Sequence, residues 1–141
     1  MKVLKKIRKR EKGQALVEFA LVLPLLIMLV CGIIDFGWLF YNVLSLQNAC
    51  REGARKAIVI STSDSYQTLV YQKVQENLPD GLKKNLKVDV TYSDKDNRVN
   101  GDVTVETTSN VFFLTPVLGT VYKEENGGKE IHYHIKMKVE S

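Results

Sequence analysis

A single carboxylate interrupts an apolar stretch near the start of the chain. In GQALVEFALVLPLL, residues 13–26, Glu18 is the only charged residue, and it lies five positions after Gly13. A charge at the centre of a membrane helix costs about 3 kcal/mol on insertion scales, so an acidic residue in such a segment is by default functional and paired. The alternative without a functional role is that Glu18, which lies near the start of the helix, extends its carboxylate to the lipid headgroups.

Two histidines could in principle bind a metal ion. His132 and His134 alternate with lysines in a segment of period two, which places both on one face of a strand. They would supply two of the four ligands of a structural zinc site, and no third or fourth ligand is evident. A solvent-facing surface of the strand is therefore the favoured interpretation.

A second polar cluster could suggest a calcium loop. It lacks the helix-loop spacing with a glutamate at position twelve, so a polar hairpin loop is favoured. No P-loop, G-x-S-x-G motif or Cys-His pair accompanies it. We therefore predict a protein that is not an enzyme, with no cofactor, no metal and no small-molecule substrate. The residues of this cluster are Asp94, Asp96, Asn97 and Asp102.

The run that contains Glu18 is long enough to cross a membrane. Sixteen uncharged residues from Phe19 to Ile34, extended back to Gln14, give 21, close to the 20 that a spanning helix needs. Residues 1–12 carry seven cationic side chains and one anionic side chain, a net charge of +6. Since the whole chain has a net charge of +4, the remaining residues carry −2. Cations before the run place the N-terminus in the cytoplasm and the later chain outside. This order also argues against a nucleic-acid partner.

Three ordinary fates fit the apolar run poorly. A cleaved secretory signal needs small residues before its cut site, and the residues around Cys31 offer no such pair. A lipoprotein acylated at Cys31 would want a small residue in place of Val30. A plain uncleaved anchor leaves Glu18 unexplained.

The stretch KGQALVEF resembles the processing site of type IV-like prepilins. The resemblance implies that a prepilin peptidase cuts after Gly13 on the cytoplasmic side, removing a basic leader of residues 1–13. Gln14 would become the new N-terminus and Glu18 the fifth mature residue, followed by Phe19. It also implies that Glu18 pairs with the terminal amine of Gln14 in a neighbouring subunit. Opposite charges attract strongly at low dielectric, where each alone would be costly.

A closer resemblance covers residues 13–57. The pieces GQALVEFALVLPLL, IIDFG, LQNA and REGAR look like the N-terminal signature of TadE-like proteins, minor pilins or pseudopilins of the tight-adherence (Tad, Flp) pilus system. Trp38 departs from the basic residue expected after IIDFG. The family implies pilus assembly and adhesion in a prokaryote, with other pilins, pilus assembly proteins and the membrane as partners. The alternative is an uncleaved single-pass anchor whose outer domain is a binding or sensor module.

Apolar positions continue beyond the membrane at helical spacing, which predicts one helix from Gln14 to about Ile58 within a segment of residues 14–60 that is transmembrane over about 15–34. Pro24 should kink it. Gly53 implies either close approach of another backbone, from the exported domain or a neighbouring subunit, or a tolerated glycine on a solvated face. The candidate packing or interface residues are Pro24, Asp35, Arg51, Glu52, Gly53 and Arg55.

The two cysteines cannot pair within the chain. If one helix holds Cys31 and Cys50, its rise separates them by about 28 Å, too far for a disulfide. A buried thiol is favoured for Cys50 over an intermolecular bridge.

Residues 61–141 predict a small exported α+β domain. A helix from Ser65 to Leu78, capped by Asp64 with Gln67, should stop at Pro79. Residues 112–119 are either a helical turn or a core-filling loop. The fold class is α+β and pilin-like, with a long helix, one further helix and three to four antiparallel strands. The strands are predicted from alternation in residues 86–92, 103–107 and 131–139.

Overall fold

The computed structural model describes residues 2–94, 98, 101–121 and 128–139. It confirms the α+β class: a long N-terminal helix leads into a small domain that contains a three-stranded antiparallel sheet. The helices are α1 (Lys2–Val59), α2 (Tyr66–Glu76), α3 (Asp80–Lys83) and α4 (Pro116–Val121). The strands are β1 (Lys87–Tyr92), β2 (Gly101–Val111) and β3 (Lys129–Val139).

Helix α1 passes without interruption through Pro24 and ends at Val59, one residue beyond the predicted end. Side chains over residues 13–30 are exposed, and the large apolar ones among them contact no core. Beyond Asp35 one face becomes buried at steps of three and four, as an amphipathic helix requires. The buried apolar residues of this face are Leu46, Ala49, Cys50, Ala54 and Ala57.

The sheet has the strand order β1-β2-β3, with both pairs antiparallel. The central strand β2 buries every second residue from Val103 to Val111, and this face packs against the outer part of α1. Val105 lies at its centre, opposite Val90 of β1 and Ile135 of β3. All three predicted strands are confirmed, and β2 is longer at both ends than its alternating core indicated.

The start of α2 differs from the prediction. The N-cap is Ser65, with no side-chain capping bond, so the Asp64–Gln67 capping box is wrong. The reason is a competing partner: Oδ1 of Asp64 lies 3.3 Å from Nη2 of Arg98, whose other nitrogen donates to the Ser63 carbonyl at 3.1 Å. The polar loop thus returns to the end of α1 instead of leaving Asp64 to cap α2.

Two short helices were not predicted as such. Helix α2 ends at Glu76 with Asn77 as its C-cap, two residues before the predicted end at Leu78. Pro79 is the N-cap of α3, which buries Leu82 in the core.

The segment after β2 forms the predicted helical turn only in part, as α4, which follows an irregular loop over residues 112–115. The core-filling alternative is wrong for this loop, because Phe112 and Leu114 are exposed. Asp96 and Asn97 of the candidate calcium loop lie outside the described residues.

Candidate functional site: the two ends of the apolar run

The proposed processing site lies on an exposed helical surface. Gly13, Gln14, Glu18 and Phe19 are all exposed, and nothing lies within 4 Å of a Cβ built on Gly13. The side-chain amide of Gln14 donates to Oε1 of Glu18 at 3.2 Å, one helical turn along. The structure therefore brings together the two residues predicted to take part in subunit pairing, within one chain and accessible from outside it.

Asp35, which ends the apolar run, is fully buried although it is charged. Its Oδ1 accepts hydrogen bonds from the backbone N–H groups of Leu114 at 3.0 Å and Thr115 at 2.9 Å, and its Oδ2 accepts one from the Thr115 hydroxyl. Hydrogen bonds to an ionised group contribute about 1.5–3 kcal/mol each, and a buried charge requires such partners. Asp35 thus ties the loop of residues 112–115 to the membrane end of the outer half of α1.

A second bond reinforces the same junction. The indole N–H of Trp38 donates to the Phe112 carbonyl at 3.0 Å, and the buried Asn42 amide donates to the Trp38 carbonyl at 2.7 Å. Trp38 also stacks on Tyr41 with ring centroids 5.8 Å apart. The sequence analysis noted Trp38 only as a departure from the family pattern and missed its partners in the loop. The one available signal was that Trp38 replaces the basic residue expected there.

Gly53 marks the closest approach of another element to α1. A Cβ at this position would lie 2.5 Å from Cγ2 of Val74 and 3.4 Å from Cγ1 of Val70, both on α2. Gly53 is buried and so does not lie on a solvated face, and the atoms that approach it belong to side chains of the chain's own domain. The helix cost of glycine, about 1 kcal/mol, is offset by packing that alanine would prevent.

The charged residues around Gly53 face solvent. Arg51 and Arg55 are exposed, and Arg55 lies 3.6 Å from Glu52 in an exposed ion pair, which contributes little to stability. Pro24 likewise lies on the exposed part of α1. These four candidates therefore remain predictions for contacts between subunits.

The cysteine and histidine side chains take different surroundings. Cys50 is fully buried, its Sγ lies 3.4 Å from the Val105 carbonyl, and burial raises the pKa of its thiol. His132 and His134 are exposed on β3. Within the described residues, no group of three or more His, Cys, Asp or Glu side chains could hold a metal ion.

Comparison with protein families identifies the long helix. Residues 13–55 match the family model described as TadE-like protein. This segment is TadE-like, and it makes up about a third of the chain. No curated protein and no solved structure matches it. The match begins at Gly13 and ends at Arg55, so it contains Glu18, Asp35 and Gly53.

TadE-like proteins are associated with Tad pilus systems and are not an enzyme family. The TadE-like helix also has the physical properties of a membrane anchor. Within Gly13–Val59 it contains an 18-residue window of mean hydropathy 2.7, none of it buried inside the protein. One helix of this kind among the described residues indicates single-pass anchoring.

Proposed function

We propose that this TadE-like protein is a minor pilin or pseudopilin that takes part in assembling a Tad-type surface pilus, and hence in adhesion. A prepilin peptidase would cut it after Gly13, with its N-terminus in the cytoplasm and its domain outside. The observation that carries the proposal is the family match, which begins at Gly13 and contains the exposed Glu18. Other pilins, pilus assembly proteins and the cytoplasmic membrane are its partners, and assembled subunits lie in the extracellular pilus.

The chemistry of Glu18 fits subunit pairing. In the uncut chain its carboxylate accepts a bond from the Gln14 side chain, 3.2 Å away. Cutting gives Gln14 a positively charged amine in the same turn of helix. A neighbouring subunit's amine can then neutralise Glu18, which offsets the cost of about 3 kcal/mol for a carboxylate in a membrane helix. The pair sets the axial position of one helix against the next.

The direct test is the intact mass and N-terminal sequence of the membrane-bound protein from cells that express the cognate peptidase. The wild type should begin at Gln14, and Gly13→Ala should remain uncut. Gly32→Ala is the matched control, because Gly32 lies on the same helix with nothing within 4 Å of its added Cβ. A wild-type chain that still begins at Met1 would reject the pilin proposal and favour the anchored binding or sensor module.

The role of Glu18 has a separate test. Glu18→Ala should be cut and inserted normally, because the cut and the apolar run do not depend on the carboxylate, but it should be absent from sheared pili. Leu16→Ala is the control, since Leu16 is 69% exposed on the same turn and carries no charge. Quantitative immunoblots of membrane and pilus fractions give the comparison. Pili with a normal amount of Glu18→Ala would remove the pairing role while leaving the processing result intact.

A further inference from the structure

The apolar surface of α1 does not stop at Asp35. Past this residue, Phe36 and Phe40 are 57% and 67% exposed on the helix. Beside them the loop of residues 112–115 exposes Phe112 at 44% and Leu114 at 58%. These four exposed apolar side chains, here called the junction face, all lie on or near the turns of α1 that follow the apolar run, two on the helix and two on the loop that Asp35 and Trp38 hold. Large exposed apolar patches mark interaction sites.

The depth of the junction face relative to the membrane follows from its hydrogen bonds. Leu114 N–H lies 3.0 Å from the carboxylate of Asp35, the first charge after the apolar run, and Phe112 accepts a bond from Trp38, three residues further. Three residues of helix rise about 4.5 Å. The interfacial layer on each side of the hydrocarbon core is about 5–7 Å thick. A loop fixed between Asp35 and Trp38 therefore lies at the level of the lipid headgroups.

We propose that Phe112 and Leu114 insert into the headgroup layer of the bilayer that α1 spans, so that the domain contacts the membrane through a second, loop-borne site. The occupant is lipid rather than a second copy because the loop is bonded to Asp35, where the apolar run ends, and therefore lies at the membrane boundary. Apolar side chains that enter this layer bury area and bind in proportion to it. The inference rests on single-pass anchoring alone and holds equally for a pilus subunit and for an anchored module.

The hydrogen bonds that hold the loop against α1 are part of the proposal. Asp35 has no role in contacting lipid, since it is fully buried beneath the loop. Its three bonds to Leu114 and Thr115 keep these residues at the boundary, and the Trp38 bond fixes the preceding residue. Without the carboxylate, two backbone N–H groups lose their acceptor and the loop can leave the membrane surface.

The experiment places a photoactivatable benzophenone residue at Leu114 of the full chain, reconstituted in vesicles of phosphatidylethanolamine and phosphatidylglycerol. After illumination, mass spectrometry separates lipid adducts from protein adducts. The matched control carries the same residue at Val59, which is 77% exposed on α1 but about 36 Å beyond Asp35. We expect severalfold more lipid adduct at position 114 than at 59.

Each other outcome overturns the proposal. An adduct to a second copy of the chain at position 114 identifies a subunit interface, and equal lipid labelling at positions 114 and 59 removes the membrane contact. Asp35→Ala should lower the yield of lipid adduct at position 114 severalfold. Unchanged labelling would reject the role of Asp35 in holding the loop at the membrane surface. Thr115→Val, which removes only the hydroxyl bond, gives the same comparison should Asp35→Ala not fold. None of these results depends on cutting after Gly13.

Discussion

The two halves of α1 both carry a continuous apolar surface, but the side chains on these surfaces differ in size. The membrane half presents Leu, Ile, Val and Phe side chains that are exposed, as lipid requires. The outer half buries a row of small residues, on which α2 and the sheet lie close to the helix backbone. Small side chains thus mark the face of α1 that packs against protein, and large ones mark the surface that is left exposed for lipid. The small buried residues are Ala49, Cys50, Gly53, Ala54 and Ala57.

The largest expected difference between the halves is in how much a Leu→Ala substitution lowers the free energy of unfolding. Leu46→Ala should lower the free energy of unfolding of the domain by about 2–5 kcal/mol, because Leu46 is 1% exposed and its loss leaves a cavity. Leu25→Ala, at a side chain 70% exposed, should leave it unchanged. Urea unfolding in detergent, followed by the fluorescence of the single tryptophan, Trp38, measures both. Equal effects would show that the halves are not energetically distinct.

A smaller difference is expected for glycine. Gly53→Leu should destabilise the domain by about 1–3 kcal/mol, because the new side chain overlaps Val74 and forces α2 away from α1. Gly37→Leu is the control, since a Cβ at Gly37 meets nothing within 4 Å. The same unfolding measurement applies. A Gly53→Leu chain as stable as Gly37→Leu would mean that close approach at Gly53 is not required.

The smallest expected difference between the halves concerns the two cysteines, and it is a difference in how the free energy of unfolding depends on pH. The unfolded Cys50 thiol ionises at its ordinary pKa of 9.0, whereas burial raises the pKa of the folded thiol. Above pH 9 the folded chain therefore holds more protons than the unfolded chain, so the free energy of unfolding is undiminished below this pH and falls above it. The limit for one proton is about 1.4 kcal/mol per pH unit.

Unfolding between about pH 8 and 10 checks this expectation against two variants. Cys50→Ala should flatten the decline, and Cys31→Ala, in the membrane half, should leave it. The pKa of Tyr92 is also raised by burial, from 10.0, so its contribution begins at higher pH. An unchanged slope in Cys50→Ala would assign the decline to another group.

Patterns of regular period predicted most of the fold. The nine-residue alternation of β3 and the three-and-four spacing of α1 are local properties of the sequence, and both elements are present, although α1 begins at Lys2, before the predicted start at Gln14. The capping box failed because the partner of Asp64 is Arg98, 34 residues away, and local spacing carries no information about it. Helix α3 was missed because only four residues form it.

For the candidate site, too, local sequence patterns were predictable and partners distant in the sequence were not. The position of Glu18 relative to Gly13 is a local pattern, and the family match contains it. Asp35 was expected only as an interface candidate, since its partners are 79 and 80 residues away in a loop without a period. A glycine inside the helix at position 53 was consistent with another element lying close, but only the fold shows that this element is α2.

The domain is attached to α1 at both ends of the outer half. At one end Asp35 and Trp38 bind the loop before α4, and at the other the Tyr92 hydroxyl donates to the Ala57 carbonyl at 2.8 Å. Twenty-two residues of helix, about 33 Å, separate Asp35 from Ala57. A mechanical pull on the domain along the helix axis therefore loads both attachments and the packed face between them at once, in shear. The joint is therefore expected to yield as a whole instead of opening bond by bond.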